Sequence, residues 1–138
     1  MSAARSESRT PASPEGDSPL RVLIVEDSAL VAESLVLALR ACGMAACCAH
    51  SGKEGVEKAA RFRPDVVLID LGLPDIDGHA AARMIAQSDL SPLPMLVALS
   101  GRPGGAGPPF AHSLAKPVRL ETLLSVLQQR DAKCAPCS

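Results

Sequence analysis

An acidic residue at the end of a wholly apolar run is the feature that most constrains how this chain folds. Residues 66–69 read Val-Val-Leu-Ile, Asp70 follows, and residues 71–78 contain Pro74 and two glycines. A strand without polar alternation is buried on both faces, which is typical of a parallel sheet covered by helices. A carboxylate at the carboxyl end of such a strand lies where open α/β sheets place their functional groups.

Two further apolar runs and one short segment also lead into polar residues. Residues 21–25 lead into Glu26 and Asp27, residues 95–99 into Ser100, and residues 113–115 into Lys116. Because parallel strands end at the same edge of a sheet, we expect these groups to converge with Asp70. Three carboxylates, a hydroxyl and an ammonium group suit a divalent metal ion and a phosphoryl group.

Helical patterns separate these strands. Ser28 is predicted to cap the first helix, which ends near residue 42 and buries a face of Leu30, Val31, Ser34, Leu35, Ala38 and Leu39. The second, over residues 51–62, is predicted to turn Val56 and Ala60 inward, and the third runs over residues 77–87. The last covers residues 120–129 and presents Leu120, Leu123, Leu124 and Leu127. With a short strand over residues 44–49, the alternation predicts an α/β fold, a doubly wound five-stranded parallel sheet with right-handed crossovers.

The segment between the last two strands departs from this alternation. Residues 101–112 contain four glycines and three prolines in twelve positions. These are the poorest helix formers, so we expect the fourth helix of the series to be missing or very short. Phe110 is the only large side chain available to cover that flank of the sheet.

Composition limits the domain organisation and the partners. The chain has 138 residues, a net charge of −1 and 1% aromatic residues, which argues against nucleic acid as a partner. No apolar run reaches the ~20 residues of a membrane span. We expect a cytoplasmic protein with no membrane partner, its five cysteines reduced. Residues 1–19 read as a disordered arm, residues 20–130 as one domain and residues 131–138 as a flexible tail.

Taken in order, these motifs resemble the receiver domains of two-component response regulators. The acidic pair follows strand one, the pattern D-x-x-L-P-x-x-x-G begins at Asp70, Ser100 ends strand four, and a Lys-Pro pair begins at Lys116. The resemblance covers residues 20–129 and implies the flavodoxin-like strand order 2-1-3-4-5. It also implies a phosphorelay, in which Asp70 takes a phosphoryl group from a histidine kinase or a histidine phosphotransfer protein.

The resemblance assigns the other site residues as well. Ser100 would donate a hydrogen bond to a phosphoryl oxygen, and Lys116 would stabilise its charge. The cofactor implied is Mg²⁺, and its ligands would be Glu26, Asp27, Asp70 and the backbone carbonyl of Gly72.

We therefore expect a stand-alone phosphoacceptor, acting as a switch, shuttle or phosphate sink toward an unknown downstream protein. Its chemistry would be limited to its own phosphorylation and dephosphorylation, so it is not expected to be an enzyme. Two alternatives stay open. One is a degenerate receiver that binds a protein without being phosphorylated. The other is an aspartate-nucleophile phosphohydrolase, which usually has a second aspartate where Gly72 stands. A nucleotide-binding flavodoxin-like protein is disfavoured, because residues 26–28 replace the Gly-rich loop it needs.

Overall fold

The fold is a parallel sheet between two layers of helices. The computed structural model describes residues 19–101 and 106–134, with the backbone alone for residues 130–134. Its elements are β1 (Arg21–Val25), α1 (Ala29–Ala41), β2 (Ala45–Ala49), α2 (Gly52–Phe62), β3 (Val66–Asp70), α3 (Gly78–Ala86), β4 (Met95–Ser100), β5 (His112–Ala115) and α4 (Leu120–Cys134). The strands are parallel throughout, in the order β2-β1-β3-β4-β5. The predicted fold class and strand order are confirmed.

Each face of the sheet carries its own apolar core. Alternate residues of the central strands, such as Ile24 and Leu68, are fully buried with Leu39 of α1 and Leu127 of α4. The intervening residues pack toward α2 and α3 on the other face, where Ile85 is almost fully buried. Burial on both faces explains why the strands lack polar alternation.

Short polar side chains set where three helices begin. The Ser28 hydroxyl accepts a hydrogen bond from Val31 N at 3.4 Å, and the Ser51 hydroxyl accepts one from Glu54 N at 3.1 Å. The Asp77 carboxylate likewise accepts a hydrogen bond from Ala80 N at 2.8 Å. These caps satisfy amide groups that have no partner inside the helix, and the helices accordingly begin where the sequence predicts.

The predicted core face of α1 is partly wrong. Its buried residues are Ala32, Leu35, Val36 and Leu39, whereas Leu30 is 78% exposed. Apolar residues surround much of this helix, so two faces fit the periodicity and the packing of the sheet selects between them.

Three smaller differences concern the other helices. In α2, Ala60 is exposed and Ala59 is buried in its place. Helix α4 turns Leu120 toward solvent, where it is 38% exposed, and it continues to Cys134, five residues beyond the predicted end. No proline or glycine lies between residues 117 and 136, so nothing in the sequence stops it earlier. None of the described helices has the length and apolar character of a membrane span.

The connection between β4 and β5 has no helix over its described residues, 101 and 106–111. Phe110 packs half-buried against the core beneath α3, and its ring meets the His79 ring nearly edge-on at 5.6 Å. The His79 Nε2 atom lies 3.2 Å from the carbonyl oxygen of Ala106. Side chains thus fasten this connection to α3. The glycine-rich residues 102–105, the arm up to residue 18 and the tail beyond residue 134 lie outside the described residues.

Strand β2 forms one edge of the sheet, and side chains from the flanking helices cover it. The inward-facing Ala49 carbonyl accepts a hydrogen bond from Glu26 N across the ladder, so the carbonyls of Ala46 and Cys48 face outward. Arg40 Nε donates to Ala46 O at 3.0 Å, and Lys58 Nζ donates to Cys48 O at 2.5 Å. Both outward carbonyls of the edge strand are therefore already paired.

Candidate functional site

The candidate site lies at the carboxyl edge of the sheet and is centred on Asp70. Asp70 is the last residue of β3 and is only 5% exposed. One carboxylate oxygen, Oδ1, accepts a hydrogen bond from Gly72 N at 3.0 Å, and the other, Oδ2, lies 3.1 Å from Lys116 Nζ. Both oxygens of a buried carboxylate therefore have a donor, as burial of a charge requires.

The acidic pair lies beside Asp70, after β1. Glu26 is 2% exposed, and its Oε2 atom accepts a hydrogen bond from Ser28 N at 3.1 Å. Asp27 is exposed to solvent. One oxygen from each of Glu26, Asp27 and Asp70 lies within 4.8 Å of the others. The structure thus brings the three predicted carboxylates together.

A single ammonium group joins the two buried carboxylates. Lys116 follows β5, and its backbone N donates to Ser100 O at 2.8 Å. Its Nζ atom lies 3.2 Å from Glu26 Oε1 and 3.1 Å from Asp70 Oδ2. In this arrangement one positive charge faces two buried negative charges, and the exposed Asp27 adds a third negative charge nearby.

The ionisation equilibria follow from this geometry. Burial raises the pKa of Glu26 above its usual value, although the Ser28 hydrogen bond and Lys116 oppose the shift and the charge of Asp70 adds to it. Burial alone would lower the pKa of Lys116, but its close contacts with the carboxylates of Asp70 and Glu26, and the attraction of their charges, outweigh burial and raise it. Lys116 therefore stays protonated at neutral pH.

One carboxylate oxygen of Glu26 is placed to bind a cation. Glu26 Oε1 is fully buried; within the part of the chain that the structure describes it accepts no hydrogen bond, and it faces the Lys116 ammonium group at 3.2 Å. A buried acceptor in this position costs free energy. A hard divalent cation prefers carboxylate oxygens as ligands and often keeps several waters. The buried oxygen and the neighbouring carboxylates fit Mg²⁺ on these grounds.

Ser100 and Gly72 lie at the same edge. Ser100 ends β4 one residue beyond Leu99, which pairs with Asp70 in the ladder, and it is half-buried. Gly72 is exposed, and a methyl group at its Cα would lie 3.8 Å from Asp70 Oδ1, an ordinary contact distance. The predicted roles of the Ser100 hydroxyl and the Gly72 carbonyl remain predictions.

Sequence reasoning did not identify one contact of the loop that follows Asp70. Asp75 accepts hydrogen bonds from the backbone amides of Gly52 and Lys53 at 2.8 and 2.9 Å. It therefore caps α2, which begins 23 residues earlier in the chain. No local sequence pattern indicates such a contact, because the two segments meet only through the topology of the sheet.

Comparison with known families identifies the relatives of this chain. The sequence model of the response regulator receiver domain matches residues 22–103. A curated relative from Mycobacterium tuberculosis, the transcriptional regulatory protein TrcR, is 33% identical over 119 residues, which cover 80% of this chain and 45% of that protein. A protein-glutamate methylesterase/protein-glutamine glutaminase from Archaeoglobus fulgidus is 38% identical over 82 residues, covering 59% of this chain and 24% of that protein. The chain thus spans less than half of these relatives.

Solved structures share the fold. A CheY-like receiver domain from Methylobacillus flagellatus superposes with a TM-score of 0.77 at 31% identity, covering 82% of this chain and 99% of that one. The receiver domain of a sensor histidine kinase from Pseudomonas aeruginosa superposes with a TM-score of 0.73 at 28% identity, covering 83% and 99%. That domain was solved with a magnesium ion coordinated in its active-site cleft.

Proposed function

Because the chain belongs to the response regulator receiver domain family of two-component systems, we propose that it is a phosphoacceptor and that Asp70 receives the phosphoryl group. The observation that carries the proposal is the arrangement around Asp70. A nearly buried carboxylate lies 3.1 Å from an ammonium group and within 4.8 Å of two further carboxylates. This combination can hold a cation and an incoming anion together.

In the proposed reaction, a carboxylate oxygen of Asp70 attacks the phosphorus of a phosphohistidine. The new O–P bond forms as the P–N bond breaks, and the histidine of the donor leaves with the electrons of that bond. Both reactants are anionic, so their repulsion must be offset for the reaction to proceed. The donor would be a histidine kinase or a histidine phosphotransfer protein.

Each residue of the site has a distinct role in this scheme. Glu26, Asp27, Asp70 and the Gly72 carbonyl would hold Mg²⁺, which when bound supplies positive charge against the phosphoryl oxygens. Lys116 already contacts Asp70, and its flexible side chain would follow the developing charge on the transferred group. Ser100, at the neighbouring strand end, would donate a hydrogen bond to a phosphoryl oxygen.

The proposal extends to the protein as a whole. We expect a switch, shuttle or phosphate sink in the cytoplasm, signalling to a downstream protein and performing no catalysis beyond its own phosphorylation and dephosphorylation. The methylesterase relative does not change this expectation, because the aligned region is only 24% of that protein.

Intact mass spectrometry tests the phosphoacceptor directly. Incubation with acetyl phosphate and Mg²⁺ should add the mass of one phosphoryl group, and Asp70→Asn should abolish the addition. Asp77→Asn is the matched control, since it changes an exposed aspartate seven positions along the same segment. An unchanged addition in Asp70→Asn would refute the assignment. If the wild-type protein bound Mg²⁺ without being modified, a protein-binding module independent of phosphorylation would be favoured.

A further inference from the structure

The loop between β3 and α3, residues 71–77, is attached to a helix that lies elsewhere in the sequence. The Oδ1 atom of Asp75 accepts a hydrogen bond from Gly52 N at 2.8 Å, and its Oδ2 atom accepts one from Lys53 N at 2.9 Å. Ser51 supplies the acceptors for the next two amides, those of Glu54 and Gly55. All four amide groups at the start of α2 are therefore paired, two of them by this loop.

A second contact lies next to the first. A methyl group placed on the Cα of Gly52 would overlap Ile76 Cγ1, so the loop approaches the helix backbone more closely than a side chain would allow. Gly55, about one turn further along α2, also lies close to its neighbour Val25, where a methyl group would be 2.7 Å from Cγ2. The start of α2 is thus pressed against both the loop and the end of β1.

The same loop also reaches the candidate site. Its second residue, Gly72, donates its amide to Asp70 Oδ1 at 3.0 Å, and Leu73 is 8% exposed. The exposed Asp75 nevertheless keeps a pKa of about 2, because the amides of Lys53 and Gly52 hydrogen-bond to its carboxylate. It is therefore ionised at any physiological pH, and its negative charge lies at the positive end of the α2 dipole.

We propose that Asp75 is a positioning residue for the phosphoacceptor site. By fixing the loop on α2, it holds Gly72 beside Asp70 before a cation binds. The inference rests on the proposed function, in which Asp70 and Gly72 bind Mg²⁺. Asp75 touches neither metal nor substrate in this scheme. Its effect passes through the four residues that separate it from Asp70.

The test compares three variants. Asp75→Ala removes both acceptors, and Asp75→Asn keeps one acceptor oxygen but places an amide group where the second was. Asp77→Ala is the matched control, because Asp77 is an exposed aspartate of the same loop that caps its own helix, α3, through Ala80 N at 2.8 Å. The two alanine variants each remove one helix cap and should lose comparable stability.

The readouts are the amide resonance of Gly72 and the Mg²⁺ dissociation constant obtained by titrating it. We expect Asp75→Ala to move the Gly72 resonance without metal and to weaken Mg²⁺ binding about tenfold, as loss of an outer support of a metal ligand does. Asp75→Asn should fall between Asp75→Ala and the wild-type protein. Asp77→Ala should leave the dissociation constant within about twofold of the wild-type value, since it leaves the contact with α2 in place.

The outcomes separate this inference from the proposed function. Equal Mg²⁺ affinities in Asp75→Ala and Asp77→Ala, or no Mg²⁺ binding by the wild-type protein, would overturn the positioning role. If the wild-type protein bound Mg²⁺ but accepted no phosphoryl group from acetyl phosphate, the proposed function would fail. The comparison of affinities would still decide the role of Asp75.

Discussion

Replacing Lys116 with methionine should destabilise the metal-free protein, because the two buried carboxylates would lose the ammonium group that balances their charge. The substitution keeps most of the side-chain volume and removes the ammonium group that lies 3.2 Å from Glu26 and 3.1 Å from Asp70. Breaking a fully buried ion pair by removing one partner costs about 3–5 kcal/mol. The Lys116 side chain is 30% exposed, so solvent screens part of the interaction. We therefore expect a loss of about 2 kcal/mol in the free energy of unfolding at pH 7.5.

The loss should depend on pH in a defined direction. The pKa of Glu26 is already raised in the folded protein, and Lys116 is one of the groups that hold it down. In Lys116→Met the pKa of Glu26 should therefore rise further. Because the folded protein binds the Glu26 proton more tightly than the unfolded chain, protonation of Glu26 favours folding. This contribution to stability is complete below the unfolded-state pKa of 4.5, and it is lost as the pH rises through the folded-state pKa. The deficit of Lys116→Met should therefore be largest at pH 7.5 and shrink toward pH 5.

Urea denaturation followed by far-ultraviolet circular dichroism, in EDTA, measures this effect. The chain has no tryptophan or tyrosine, so intrinsic fluorescence is not a useful signal. A loss of about 2 kcal/mol should lower the urea midpoint by roughly 1 M. Lys53→Met, which removes the same charge from an exposed position, should change stability by less than about 0.5 kcal/mol. Equal losses in the two variants, or a Lys116→Met deficit that is the same at pH 5 and pH 7.5, would refute the reasoning.

Three further predictions concern the site and its surroundings. Glu26→Gln combined with Asp27→Asn should weaken Mg²⁺ binding, measured by calorimetry, by at least about tenfold. The same double variant should slightly stabilise the metal-free protein, because it removes two of the clustered negative charges. An unchanged Mg²⁺ affinity would contradict the proposed ligands. Gly78→Ala should lower the free energy of unfolding, measured by urea denaturation, by about 1–3 kcal/mol, because its methyl group would lie 2.6 Å from the backbone oxygen of Asp70. Gly72→Ala, whose methyl group would lie 3.8 Å from the nearest atom, should lower it by less than about 0.5 kcal/mol. Similar losses in the two variants would contradict the argument from these contacts. Phe110→Ala should cost about 2 kcal/mol, roughly half the value for a fully buried phenylalanine, and a change under about 0.5 kcal/mol in the same assay would show that the ring does not cover the sheet.

Local signals in the sequence account for most of the fold. The apolar runs that end at Val25 and Asp70 became strands at the predicted positions, and Ser28, Ser51 and Asp77 cap helices that begin where the sequence places them. Each of these features depends on neighbouring residues, so the sequence alone suffices. The lack of a helix in residues 101 and 106–111, the described part of the connection after β4, follows from the same kind of argument, since the backbone preferences of glycine and proline are local.

Features that depend on distant contacts could not be predicted in the same way. The buried side of α1 depends on which apolar face meets the sheet, and Leu30 lies on the face that does not. Asp75 caps a helix more than twenty residues away, and Lys116 pairs with Glu26 across the sheet. The family resemblance was enough to assign Lys116 to the site, but only the structure shows that it pairs with two carboxylates at once.

The covered edge of β2 bears on the solubility of the protein. Its five residues, Ala-Ala-Cys-Cys-Ala, carry no charge and no proline, so the strand itself lacks the gatekeepers that natural edge strands use against aggregation. The protection comes from Arg40 and Lys58, whose side chains reach the strand from two different helices. It therefore lasts only while both helices remain docked. Partial unfolding of either helix would uncover a strand able to pair with other chains, so resistance to aggregation depends on local helix stability as well as on the charge of the surface.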